Sequence, residues 1–150
     1  MRSLSNRTDL AQITKRLRLV QPSDRAQWGL MNAAEMICHI RGAFLMAMGE
    51  IDSGPMRLIL PRAIMKLVAL RSPIPWSKNF GTVSALKQRS PAVLVSSFPT
   101  DRESALAALD RFCHLEQRRV DHPFMGTMSF REWMRWGYLH TDHHLRQFRR

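Results

Sequence analysis

The chain has 150 residues, 45% apolar and 8% aromatic, which fits one globular domain over residues 1–150 with its own core and excludes a disordered or fibrous chain. The 23 Lys and Arg against 12 Asp and Glu leave a net charge of +11. The basic residues are scattered, with no run of five and no interleaved aromatic platform, so a solvated basic surface is expected and specific nucleic-acid binding is not.

The first helix is predicted to begin near Thr8 or Asp9, either of which can cap free amides, with Leu10, Ile13, Leu17 and Val20 as its apolar stripe and Pro22 ending it. A second runs from Asn32 to about Gly49, because Asn32 and Glu35 have capping-box spacing and glycine terminates helices. Residues 51–99 hold six of the eight prolines and read as a crossover containing one short helix around Arg62 to Leu70. "TDRE" predicts a third main helix capped by Thr100 with Glu103, carrying Leu106, Leu109, Phe112 and Cys113 at helical spacing. After the turn formers Pro123 and Gly126, "SFRE" predicts a last helix from Phe130, boxed by Ser129 and Glu132. No segment alternates with period two long enough for a sheet, so the pattern is all-α, a four-helix bundle with a long crossover between its second and third main helices.

Cys38 and Cys113 fall among apolar residues on predicted helices, where a free thiol acts as a small hydrophobe, which indicates a reducing compartment. The apolar stretch "LILPRAIMKLVAL" is broken by Pro61, Arg62 and Lys66, and the first 19 residues lack a leader pattern. The expectation is a cytoplasmic protein with no membrane contact.

Half of the six histidines lie in "HTDHH" on the last helix. His140 and His144, four apart, share one face and can point at a common atom, while His143, about 100° round the helix from His144, faces a neighbour or solvent. Trp133, Trp136 and Phe148 continue the face of the pair, so it is expected to point inward. A zinc-like site needs three or four donors. His39, midway along the second helix on an apolar face, would by itself read as a packed core histidine; beside the pair it becomes the candidate third ligand. A zincin protease is disfavoured because Thr141 stands where its glutamate belongs, and a di-iron centre because no E-x-x-H pair is present. A single-metal, three-histidine site remains.

The segments "WGLMNAAEMICHI" and "HPFMGTMSFREWMRWGYLHTDHHLRQF" together resemble the DinB-like superfamily, in a branch that ends in H-x-x-H-H-L-R-Q-F. The resemblance covers Trp28 to Arg150, strongly at both ends and weakly across the crossover. It implies a four-helix bundle with a divalent metal on His39, His140 and His144. Relatives of known activity are mostly thiol-dependent S-transferases and isomerases; no activity carries over from this branch.

The resulting expectation is a metal-dependent enzyme that activates a thiol or water for attack on a small-molecule substrate, S-transferase-like or hydrolase-like. The ion is zinc, nickel or iron, since imidazole suits each, and the cofactor a low-molecular-weight thiol, with Arg146 or Lys78 available to its carboxylate. Around the ligands, Glu35, Trp136, His143 and Gln147 are the candidates to orient the imidazoles or line a pocket, although capping explains Glu35 equally well and Asp142 and His143 suit a solvated face. Trp76 and Trp133 could wall the pocket or pack the core. The alternatives are a non-enzymatic metal-stabilised bundle, a basic binding module, and a scaffold that has lost activity. Bundles of this kind often pair, so a homodimer is among the expected states.

Overall fold

A helix begins where a polar side chain captures the free amides of its first turn. In the computed structural model, which describes residues 1–52, 60–72, 75–78, 86, 94–115 and 120–150, such caps open three of five helices. Helix α1 spans Arg7–Arg18, α2 Ala33–Ala47, α3 Arg62–Arg71, α4 Phe98–His114 and α5 Phe130–Gln147. The described residues contain no strand, only an isolated bridge between His122 and Gly126. None of the described helices is long and apolar enough to cross a membrane.

Two starts differ from the predicted ones. In α1 the cap is Asn6, whose Oδ1 accepts from the amides of Thr8 at 3.0 Å and Asp9 at 3.1 Å. Asp9 cannot serve, because its carboxylate turns back to accept from the Ser3 amide at 2.9 Å. In α4, Thr100 lies inside the helix, which opens after Ser97 with Pro99 in the first turn, where a missing amide proton costs nothing. The buried Asp101 carboxylate accepts from the Ser96 amide at 2.9 Å and its hydroxyl at 3.0 Å, and lies 3.4 Å from Arg41 of α2. Those bonds wind the chain into helix earlier than the Thr100 box would.

The other two boxes form as read. Asn32 Oδ1 accepts from the Glu35 amide and Glu35 Oε2 from the Asn32 amide, both at 2.9 Å. Ser129 and Glu132 exchange the same pair of bonds at the head of α5. Gly49, one residue past the cap of α2, has φ +82° and ends the helix in a conformation that side chains rarely adopt.

Packing runs chiefly between α2 and α4, with α5 against α1, α2 and α3, and α1 also against α4. Phe44 of α2 and Phe112 of α4 meet at 4.8 Å between ring centroids, and Trp133 and Trp136 of α5 close on Phe112. Each such buried aromatic or aliphatic side chain contributes about 1.5–3 kcal/mol. Gly137 sets how near α5 comes: a Cβ there would stand 2.7 Å from Leu4 Cδ1 and 2.8 Å from Phe112 Cε1. The last turn of α5 is held by the segment after α1, with the Gln27 amide donating to Gln147 O at 2.8 Å and Arg150 Nε to Asp24 at 2.7 Å. Close approach at Gly137 and this clamp fix the helix face that carries His140 and His144.

Candidate metal centre

His39 is buried in the middle of α2, and four-residue spacing on α5 brings His140 and His144 against it. One ring nitrogen from each lies within 4.8 Å of the others. The ring centroids of His39 stand 5.3 Å from His140 and 4.6 Å from His144, and those of His140 and His144 are 4.7 Å apart. Among the described residues this is the one cluster of histidine, cysteine and carboxylate donors that could hold a metal ion.

Hydrogen bonds orient two of the rings. His39 Nδ1–H donates to the Leu86 carbonyl at 3.0 Å, which leaves its Nε2 a lone pair. His144 Nδ1–H donates to Gln147 Oε1 at 3.1 Å, and Gln147 in turn donates from Nε2 to the Trp28 carbonyl. A metal-binding imidazole needs its second nitrogen tied in this manner. Burial pushes all three pKa values below the usual histidine range; for His140 and His144 the neighbouring imidazoles push further in the same direction. The rings are therefore neutral at pH 7, the form that coordinates a cation.

The third ring tests whether an ion fits. His140 Nε2 faces His39 Nε2 at 3.3 Å, while His140 Nδ1 is buried with no hydrogen-bond partner among the described residues. A proton on Nε2 would bond to His39 but strand a buried lone pair; a proton on Nδ1 would set two lone pairs against each other. A cation between the facing nitrogens removes that repulsion, and three imidazoles suit borderline divalent ions. The residues present fit such an ion.

The neighbouring candidates separate by contact. His143 packs its ring between Trp28 at 5.9 Å and Trp76 at 6.2 Å, beside His144 rather than in the cluster. Trp136 stacks on His140 at 5.1 Å. The Glu35 carboxylate bonds to the Asn32 amide in its capping box, and the second nitrogen of His39 is taken by Leu86. Asp142 is gripped by Arg16 at 2.6 Å and Arg146 at 2.9 Å, tying α1 to α5 on the outer face. Lys78 lies over the Trp28 ring at 5.0 Å. Neither Cys38, which is buried, nor Cys113, which is half-buried, is in a disulfide, and burial raises the Cys38 thiol to about 11.

Two participants were absent from the sequence reading. Leu86 contributes a backbone carbonyl, which no letter reveals. His122 is 4% exposed, with its ring 5.3 Å from Trp136 and 5.6 Å from Trp133; its sequence signal was the short "HPFMG" turn. Beside the cluster lies a cavity of about 300 Å³ that reaches both His122 and His140 and is walled by Trp76 and Trp136. Trp133 is a core residue, 1% exposed.

A family model described as "Protein of unknown function (DUF1569)" matches residues 2–150. The chain belongs to that family. No curated protein and no solved structure matches it.

Proposed function

We propose that this member of a family of unknown function is a divalent-metal-binding protein of the DinB-like type, built as one domain over residues 1–150. In this reading α1, α2, α4 and α5 form a four-helix bundle, and residues 51–97, which include α3, are its crossover, ending two residues before the predicted 99 because α4 starts at Phe98. His39, His140 and His144 hold the ion. The observation that carries the reading is the convergence of three neutral imidazoles, two of them oriented by Leu86 O and Gln147 Oε1.

The function is a metal-dependent reaction in which a thiol or water is activated, S-transferase-like or hydrolase-like. A divalent ion supplies Lewis acidity there, lowering the pKa of a thiol or water that shares it towards neutrality. The chain's own residues hold and shield that centre. Leu86 O and Gln147 keep the histidine protons on the far side of the rings, and Trp136 covers His140. Cys38 cannot be the nucleophile, because its thiol is held protonated by burial and donates to Leu94 O. A sulfur nucleophile would therefore be a low-molecular-weight thiol of a reducing compartment, the cytoplasm. The cavity at His140 favours an enzyme over a purely structural metal, since structural sites are closed.

Metal content by inductively coupled plasma mass spectrometry, on protein purified without tag or chelator, tests the reading. Near-stoichiometric zinc, nickel or iron is expected in the wild type and none in His39→Ala or His144→Ala. A folded wild type without metal, or metal retained in both variants, overturns it.

A further inference from the structure

The cavity beside His140 has a composition that selects its occupant. Its 300 Å³ or so is about twice the ~150 Å³ space that accepts benzene, enough for a body of up to roughly two aromatic rings. Its walls come from α2, α3 and residues that follow it, α5 and the turn after α4: Met46, Met65, Val68 and Phe124 are typical of them. No Asp, Glu, Lys or Arg is among the described residues lining it, so a carboxylate or ammonium inside would be desolvated without a partner. Trp76, which lines one side, has already spent its indole N–H on Ala69 O at 2.8 Å.

Ser72, Ser77, His122 and His140 supply the polar side chains of the wall, and for His122 the structure sets where the donor lies. The Phe124 amide donates to His122 Nδ1 at 3.2 Å, so that nitrogen carries no proton and the neutral ring bears its hydrogen on Nε2. The ring is fixed from both ends of its own turn, since His122 and Gly126 exchange backbone bonds at 2.9 and 2.8 Å. Burial holds the imidazole neutral, with a pKa of about 3. His122 and His140 both line the cavity and both contact the Trp136 indole, at 5.3 and 5.1 Å.

We propose that this cavity takes a small, largely apolar molecule with a single hydrogen-bond acceptor of the carbonyl type, which receives the Nε2–H of His122 while its body lies among the α3 and α5 side chains. The inference rests on the proposed function only for the acceptor's being brought beside a metal. The charged thiol of that reading would then reach the ion from outside this apolar space.

The test is ligand-observed NMR titration with two probes of nearly equal shape, acetophenone and ethylbenzene, on wild type and three variants, with metal measured in the same samples. Wild type should bind both. Val68→Trp, at a position 58% exposed on α3 and so harmless to folding, should fill the cavity and abolish both. His122→Phe should weaken acetophenone about three- to tenfold, the worth of one hydrogen bond, and leave ethylbenzene within about twofold. His122→Gln, which restores a donor, should recover part of the loss. No binding by folded wild type, binding indifferent to Val68→Trp, or equal loss of both probes in His122→Phe overturns the proposal. A metal-loaded wild type that binds neither probe fails the cavity assignment alone. A metal-free wild type that shows the expected probe pattern fails the metal reading alone.

Discussion

The two sides of the site are built from different material. The histidine side rests on α2 and α5, two helices of 15 and 18 residues that start with complete capping boxes and bury most of their inward faces. The cavity side is assembled from α3, the His122–Gly126 turn and residues of the 75–78 segment, and α3 leaves Ile64, Leu67 and Val68 about half exposed. Groups that must keep a fixed geometry sit on the rigid pair, and groups that would meet a variable ligand sit on shorter pieces. The contrast predicts that substitutions on the helix side cost stability or metal, while those on the cavity side change what binds.

Acid should have the largest effect, acting through three histidines of the helix side and one, His122, of the cavity side. His39, His140, His144 and His122 all have folded pKa values below the unfolded value of about 6.5, with burial as the first cause in each. Above about pH 6.5 both states are neutral at these sites and their contribution is complete. Below it the unfolded chain takes up protons that the folded one refuses, so metal-free protein should lose roughly 1.4 kcal/mol per pH unit for each group until its folded pKa is reached. For His122 that window runs down to about 3. Urea denaturation of chelator-treated protein at pH 7.0, 6.0 and 5.0 should show a steep fall; equal midpoints would mean the rings are not buried in the neutral form.

Next in size is Gly137→Ala. The new methyl would press on Leu4 and Phe112, and overpacking of this kind costs about 1–3 kcal/mol, or roughly 2–4 °C in Tm for each kcal/mol. Calorimetry should show that loss together with weaker metal binding, because the same contact sets where His140 and His144 stand. A stable variant with reduced metal would separate the two effects and count against the packing account. Gln147→Leu is the complementary change, removing the acceptor of His144 Nδ1–H and the donor to Trp28 O. Metal affinity should drop about tenfold to a hundredfold, as for other partners of ligating imidazoles, while Val68→Trp on the cavity side leaves it unchanged.

What the sequence made readable follows from the range of the interactions involved. The i, i+4 spacing of His140 and His144, and the apolar face around His39, are local patterns, and the folded chain brings those three rings together. Glu35 had two readings, a cap for Asn32 three residues before it or a partner for His39 four residues after it, and its bond to the Asn32 amide realises the first. Leu86 O and the inward turn of His122 depend on tertiary approach, since a backbone carbonyl has no side-chain signature and a histidine in a Pro-Gly turn reads as surface. The start of α1 was misplaced for a related reason. Asn6, Thr8 and Asp9 are all good caps within one turn, and only the long bond from the Ser3 amide to Asp9 removes the last from competition.

The smallest predicted effect bears on the same distinction between local pattern and realised contact. "TDRE" and "SFRE" carry identical capping-box spacing, yet Ser129 accepts from the Glu132 amide at 3.3 Å whereas Thr100 lies inside α4, where its hydroxyl oxygen accepts from the Ser97 hydroxyl at 2.9 Å. Ser129→Ala should therefore cost about 1 kcal/mol, and Thr100→Ala, at an exposed position without a cap, less than about 0.5 kcal/mol. Urea midpoints of the two variants against wild type give the comparison directly. Equal losses would mean that Thr100 caps α4 in solution. A larger loss at Ser129 would also loosen the first turn of α5, where Glu132 meets Lys66 of α3 at 3.3 Å, and so reach the cavity side through an ion pair that joins it to the helix carrying His140 and His144.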